Sequence, residues 1–337
     1  MNNLYKDTSL TPMRVARMSG YIDWSSQPSL FKHYPRFSFS YPFGSIPELK
    51  VAEISRFITS ESMIGGKPYY QLNTPSAGNL HPVELYIQIR GIKGVISGIY
   101  HVDSHKEALV LIREIEEDGI ENAVSISNRF KGMIFIISIV PFRSEWKYGS
   151  RAIRYCYLDA GHQAASILSA AKTLGHNATI LSDIDALSLN EQMGFTSQEY
   201  SALAIAIGEE SEKPSIALTA PLMYVAPTDY WESVSRFTKE LEYYKYTVRY
   251  PEIQAPDIQI SSIYERRSAR LFEDQKLSSE LSEYFIKRMI YIPSPITTML
   301  VVLPNASIEP GIYKNDQLEN AGDYAKEITH ILVDQKF

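Results

Sequence analysis

From residue 83 the chain alternates: Val83, Leu85, Ile87 and Ile89 are apolar, and Glu84, Tyr86, Gln88 and Arg90 stand between them. A period of two predicts a strand over 83–90. A hairpin-like pair follows, with Asp103-Ser104 at the turn and residues 108–112 returning. Residues 133–140 are a continuous apolar run with β-branched side chains, which predicts a buried central strand. Residues 49–64 read as a helix closed by Gly65-Gly66. The strongest helix is predicted at 152–174, where Tyr155, Leu158, Ala165, Leu168 and Ala171 spread apolar surface around most of the circumference and Gly175 is placed to end it. Residues 178–181 and 202–207 read as further strands with a helix at 187–193 between them. Helices and strands intermixed without a strict βαβ repeat predict an α+β sandwich.

Beyond residue 214 the pattern weakens into a Tyr-rich connector with one helix, about 230–243. A partial echo of the first half then begins. Arg266-Arg267-Ser268-Ala269-Arg270-Leu271-Phe272 precedes a helix near 278–287, and Pro293-Ser294 precedes a strand at 299–303. Gly311-Ile312-Tyr313 and Asp316 repeat the spacing of Gly98-Ile99-Tyr100 and Asp103. The echo lacks a counterpart of Ala77-Gly78-Asn79-Leu80-His81, and the chain stops at Phe337 before a second long helix.

At 337 residues the chain suits two domains, and 45% hydrophobic residues suffice for a sizeable interior. A net charge of -6 argues against a nucleic-acid partner. Cys156 is the only cysteine, so no internal disulfide forms, and its place in an apolar helix favours a structural role. No apolar run of membrane-spanning length occurs and no signal peptide is evident at the N-terminus, so the expected compartment is the cytoplasm.

Candidate chemistry enters with the run Thr74-Pro75-Ser76-Ala77-Gly78-Asn79-Leu80-His81-Pro82, which leads into the strand at 83. Ala77 and Gly78 let backbone approach a flat ligand, and Asn79 offers donors and an acceptor suited to the imide edge of a flavin. The plainer reading is a pre-strand loop in which Asn79 and His81 are satisfied locally. No Gly-x-Gly-x-x-Gly follows a strand, no P-loop is present, and no set of metal ligands or nucleophile elbow stands out.

A second run, Trp146-Lys147-Tyr148-Gly149-Ser150-Arg151-Ala152-Ile153-Arg154-Tyr155, passes into Leu158-Asp159-Ala160-Gly161-His162. Together with the first run and the hairpin Gly98-Ile99-Tyr100-His101-Val102-Asp103, it resembles the SagB/ThcOx-type (McbC-like) dehydrogenases of the nitroreductase-like FMN flavoproteins. The resemblance spans roughly residues 28–208. It implies a nitroreductase-like sandwich with a central mixed sheet, laid out as an N-terminal extension (1–45), an FMN domain (46–213), a connector (214–257) and a partial or degenerate second unit (258–337).

The resemblance also implies FMN held by Pro75, Ser76, Ala77, Gly78, Asn79, His81, Arg151, Arg154 and Gly208; Lys213, shortly after Gly208, is a weaker candidate for the phosphate, since a lone loop lysine is usually solvated. Arg151 and Arg154 are one helical turn apart, where a bound anion would offset the unfavourable macrodipole. Lys147 and Tyr148 are implied as the catalytic pair, removing a proton while an azoline ring of a ribosomally made peptide is oxidised. Where ordinary nitroreductases carry Arg-Arg-Ser, the first unit has Lys32-His33-Tyr34-Pro35-Arg36; the run at Arg266 resembles that phosphate-binding entry instead. Expected partners are a modified peptide or small-molecule substrate, a biosynthetic complex, and a homodimer or pseudo-dimer. Two rivals stay open: an NAD(P)H-dependent nitro or quinone reductase of the same fold, and a non-catalytic scaffold or substrate-binding subunit derived from it.

Overall fold

The computed structural model describes residues 6, 8–11, 13–14, 22–181, 183–195, 198–219, 222, 258–268, 275–287, 297–314 and 316–331. The chain divides into two compact units. The first comprises Met1–Thr8 with Ile22–Arg267, and the second Ser9–Tyr21 with Ser268–Phe337. The helix expected at 230–243 and the Pro293-Ser294 dipeptide lie outside the described residues.

In the first unit the strands, in chain order, are β1 (Ser40–Pro42), β2 (Ile58–Ile64), β3 (Lys67–Leu72), β4 (Val83–Arg90), β5 (Gly98–Asp103), β6 (Ala108–Glu114), β7 (Asp118–Gly119), β8 (Asn128–Ile139), β9 (Thr179–Leu181), β10 (Tyr200–Pro214) and β11 (Ile216–Ala217). The helices are α1 (Lys50–Ser55), α2 (Phe142–Tyr148), α3 (Ala152–Thr173), α4 (Ala186–Gln192) and α5 (Ile260–Glu265). Seven strands form the central sheet in the order β1-β6-β5-β4-β8-β10-β9. The expected α+β sandwich is present with one refinement: the sheet expected as mixed is antiparallel in every pairing.

Alternation along β4 explains the two layers. Val83, Leu85, Ile87 and Ile89 join a core with Ala52 and Ile54 of α1 and Cys156, Ala160, Ile167 and Ala171 of α3. Tyr86 faces the opposite core, built with Ile120, Val124, Leu189 and Met193. Glu84 and Gln88 are also buried on β4, and each finds a polar partner: Gln88 Oε1 accepts from the Ile120 N–H at 2.9 Å. Burial pushes the Cys156 thiol up, in keeping with an inert core side chain. One side of α3 stays open in the single chain, with Leu158 60% exposed.

The helix expected over 49–64 is shorter. It ends at Ser55, and β2 and β3 follow as a hairpin around Gly65-Gly66. Both glycines have positive φ, +58° and +78°, as a two-residue hairpin turn of primed type requires. The glycine pair therefore closes a hairpin and not a helix. Near the N-terminus, Lys32 is buried against Tyr86 Oη (2.7 Å) and Glu199 Oε2 (2.5 Å), and Glu199 also accepts from Ser138 Oγ.

The second unit contains β12 (Met299–Val302), β13 (Gly311–Lys314) and β14 (Gln317–Ala321) in one antiparallel sheet, with α6 (Ser279–Lys287) and α7 (Ala325–Ile331). Its β13 repeats details of β5. The pairing register shifts between Ile312 and Tyr313 as it does between Ile99 and Tyr100. Tyr313 Oη donates to the Glu309 carbonyl, four residues back, as Tyr100 Oη donates to Ile96.

Candidate active site

The loop 73–82 joins β3 to β4 and is bent by backbone that side chains normally avoid. Gly78, Asn79 and His81 have φ of +64°, +59° and +44°. The left-handed conformation is cheap for Gly78 and costs about 1 kcal/mol or more for each of the other two. Buried partners hold it. Ser76 Oγ donates to Asp159 Oδ2 at 2.6 Å and the Ala77 N–H to Asp159 Oδ1 at 3.2 Å. Ser76 Oγ also accepts from the His81 N–H at 2.9 Å. Asn79 donates from Nδ2 to the Tyr70 carbonyl at 2.6 Å, and its Oδ1 faces His81 Nε2 at 3.0 Å.

Asn79 thus makes two bonds within its own region, which is the local satisfaction that the plainer reading of the loop anticipated. His81, expected among the cofactor contacts, is turned inward at 3% exposure. Burial, with the charges of Arg56 and Arg143, lowers its pKa to about 3. The imidazole is therefore neutral at physiological pH, and Nε2–H is the donor to Asn79. Pro75, Ser76 and Ala77 are half-buried, while Gly78 is exposed at the crest.

The second run comes to that crest. A Cβ on Gly78 would lie 2.5 Å from Tyr148 Oη and 3.3 Å from Lys147 Nζ. The two motifs, about seventy residues apart in sequence, meet at one glycine. Lys147 Nζ lies 5.3 Å from the Trp24 ring centre and 5.4 Å from that of Tyr148, in cation–π range. Tyr148 packs on Tyr155 at 4.5 Å between centroids. Its phenol pKa is raised by burial, then by Tyr155 and Asp159, so at neutral pH it is a proton donor or relay and not a phenolate.

Arg151 and Arg154 converge on Thr8. Arg154 Nε donates to Thr8 Oγ1 at 2.6 Å, Arg151 Nη1 donates to the Thr8 carbonyl, and Arg151 Nε donates to Tyr155 Oη at 2.9 Å. Tyr155 consequently links Arg151 to Tyr148. Arg266, which the sequence placed in the echo of the second half, reaches the loop's entry: Nε donates to the Asn73 carbonyl at 2.5 Å and an Nη to Leu72 at 3.1 Å.

Gly208 and Lys213 do not join this cluster. Val83 of β4 pairs with Ile139, whereas Gly208 of β10 pairs with Gly132, opposite Arg90 at the far end of the same strands. Seven residues of strand separate the two ends by roughly 23 Å. Lys213 lies farther still, next to Pro214, which pairs with Asn128. Gly208 instead lines an open cavity of about 560 Å³ with Lys93, Lys131 and His176. Both residues follow the loop by more than a hundred positions, and only strand register reveals on which end they fall.

Three supporting residues were missed. Asp159 stood within the Leu158–His162 run with no role assigned to it. Arg143 was not singled out, although it lies four residues before Lys147 on the same helix, a spacing that puts both on one face. Glu84 stands at a polar position of the alternating strand and so carried no signal of its own for a buried ion pair: Arg143 Nη2 lies 2.7 Å from its Oε1, and His101 Nε2 donates to its Oε2 at 3.0 Å. The Arg143–Glu84 contact is close but poorly aligned for a hydrogen bond, so its attraction is ionic. Burial opposes the Glu84 charge, yet Arg143, His101 and Arg56 together hold its carboxyl below the usual range.

With this geometry in view, the relatives agree on the fold. Residues 45–209 match the nitroreductase family. A protein of Methanocaldococcus jannaschii named "Putative nitroreductase MJ1384" is 32% identical over 105 residues, 30% of this chain. The match spans 52% of that relative's length, about half of it. The crystal structure of a "putative nitroreductase" from Anabaena variabilis superposes with a TM-score of 0.77 at 17% identity, covering 99% of this chain and 81% of its own. The Escherichia coli microcin synthetase McbBCD complex, with truncated pro-MccB17 bound, gives a TM-score of 0.40 at 13% identity, over 63% of this chain and 92% of its own. The family match and the Anabaena variabilis superposition give the chain the nitroreductase-like fold. Among the described residues no helix is long and apolar enough to cross a membrane.

Proposed function

We propose that the first unit is an FMN-dependent oxidoreductase that oxidises an azoline heterocycle in a ribosomally made peptide. The observation that carries this reading is the meeting of Lys147 and Tyr148 with the crest of the Pro75–Pro82 loop at Gly78. The residues fit the cofactor's chemistry. The small side chain at Ala77 leaves room beside a flat ring, the missing one at Gly78 lets Tyr148 and Lys147 close in on the loop, and Arg151 and Arg154 are neighbouring cations at the start of a long helix. FMN, when bound, would supply the two-electron acceptor. The chain's own part is proton handling: a ring becoming aromatic loses a proton as well as a hydride. Lys147 is the base in this reading, and the protonated Tyr148 orients the ring or relays the proton.

The protein should purify yellow and release FMN on denaturation. Lys147→Ala and Tyr148→Phe should keep FMN yet lose about 10²–10⁴-fold in azoline oxidation, with dithionite reduction of the flavin unchanged. Parental rates in both variants would place the base elsewhere. The relatives named as nitroreductases favour the rival, a nitro or quinone reductase using NAD(P)H. That reading prevails if the parent ignores azolines and turns over nitroaromatics. A partner biosynthetic complex and a homodimer or pseudo-dimer belong to the same proposal, and light scattering of the flavin-loaded protein checks the latter.

A further inference from the structure

We propose that Arg143 is a positioning residue that couples the Pro75–Pro82 loop to the Lys147–Tyr148 pair; the inference rests on the reading above for its functional consequence. The helix α2 touches the loop at two points. Tyr148 and Lys147 stand over Gly78 at the crest. At the other end of the helix Arg143, 1% exposed, donates from Nη1 to the His81 carbonyl at 3.1 Å. Its Nε donates to the Ser29 carbonyl at 2.9 Å, and its Nη2 faces Glu84.

Two buried groups hold the left-handed backbone of the loop from opposite ends. Asp159 takes Ser76 and Ala77, and Arg143 takes His81. They differ in what they are attached to. Asp159 belongs to the long helix α3, whereas Arg143 is on the same seven-residue helix as Lys147 and Tyr148. Moving the His81 end of the loop therefore moves the anchor of that helix, and with it the pair above Gly78. Burying a guanidinium costs desolvation that apolar packing would avoid. A planar fork that reaches two carbonyls and a carboxylate at once accounts for arginine at this position, and lysine cannot span them.

Arg143→Lys keeps a cation against Glu84 but removes the fork. In the full chain, with flavin removed, amide hydrogen exchange of 74–82 and 142–148 should rise together by at least tenfold. Asp159→Asn should raise exchange in 74–82 alone. With FMN restored, kcat for the azoline peptide should fall at least thirtyfold and KM change by less than threefold, while dithionite reduction of the flavin is unaffected. Exchange that rises in 74–82 only, or in neither segment, overturns the coupling, as does a parental kcat. Should Arg143→Lys fail to fold, the neutral pair Arg143→Met with Glu84→Gln carries the same exchange test. The exchange experiment is independent of flavin and substrate. A parent that turns over no azoline therefore defeats the functional reading and leaves the coupling to be judged by exchange alone.

Discussion

The two ends of the central sheet treat left-handed backbone differently. At the end where β4 begins, Asn79 and His81 carry positive φ alongside Gly78, and buried charges from Asp159 and Arg143 hold the loop in place. At the far end three positive φ values belong to glycines, Gly91, Gly132 and Gly208 at +70°, +126° and +140°, and one to Ser125 (+59°), where it closes a short helical turn. For Gly132 and Gly208 the reason is close packing of strands. A Cβ on Gly208 would lie 2.1 Å from the Lys131 carbonyl, and one on Gly132 would lie 2.2 Å from that of Ile207. A glycine in such a place is relaxed and structural. Strain borne by residues that have somewhere easier to go, and held by buried ions, is the mark of a site.

Substituting one glycine at each end tests that distinction most severely. Gly208→Ala forces a β-carbon into a neighbouring backbone that cannot move, and should cost on the order of 3 kcal/mol in urea unfolding. Gly78→Ala meets only the tips of Tyr148 and Lys147, which can swing aside, so its stability cost should be about 1 kcal/mol. The displaced pair should nevertheless lower azoline oxidation roughly a hundredfold, the usual effect of an ångström-scale misplacement. If Gly208→Ala lost flavin while keeping its unfolding midpoint, the far end would have to be counted as part of the site.

The same contrast explains what was legible beforehand. Strands β4 and β8 and the helix α3 follow from local periodicity, because burial on one face dictates the spacing of Val83, Leu85 and Ile87. The 49–64 segment was misread because Ile54, Phe57 and Ile58 suit either period, and only the primed turn at Gly65-Gly66 separates them. The motifs at 75–82 and 147–154 were visible as patterns, but their meeting at Gly78 depends on long-range register. That Gly208 and Lys213 lie apart from that meeting was hidden for the same reason, since position along a strand does not announce which end of the sheet it reaches. Arg143 and Glu84 were hidden because each looks like a surface charge until its partner is known.

A gentler test uses pH. Burial raises the Asp159 carboxyl to about 6, against the hydrogen bonds from Ser76 and Ala77 and the charge of Arg56. Its ordinary value is 3.8, so between about pH 4 and pH 6 the native state holds a proton that the unfolded chain has released. Asp159 therefore makes stability decline as pH rises through that window, with no further change above it. Asp159→Asn should remove this decline, which unfolding midpoints at pH 4, 5 and 6 will show. A slope unchanged by the substitution would assign the titration to another buried group.

Lys213→Ala should have the smallest effect. The side chain is exposed, and the backbone N–H donates at 3.3 Å to the neighbouring Ser211 Oγ. Stability should stay within about 0.5 kcal/mol of the parent, the usual range for a surface change. Flavin affinity should not change either, because the loop lies at the other end of the strands. A tenfold weaker affinity, about 1.4 kcal/mol, would contradict this for one copy of the chain. Lys213 would then have to reach the cofactor from a second copy, and light scattering would have to find a dimer that the Lys213→Ala protein still forms. A loss of affinity in a protein that stays monomeric would instead show that the assignment of the two ends is wrong.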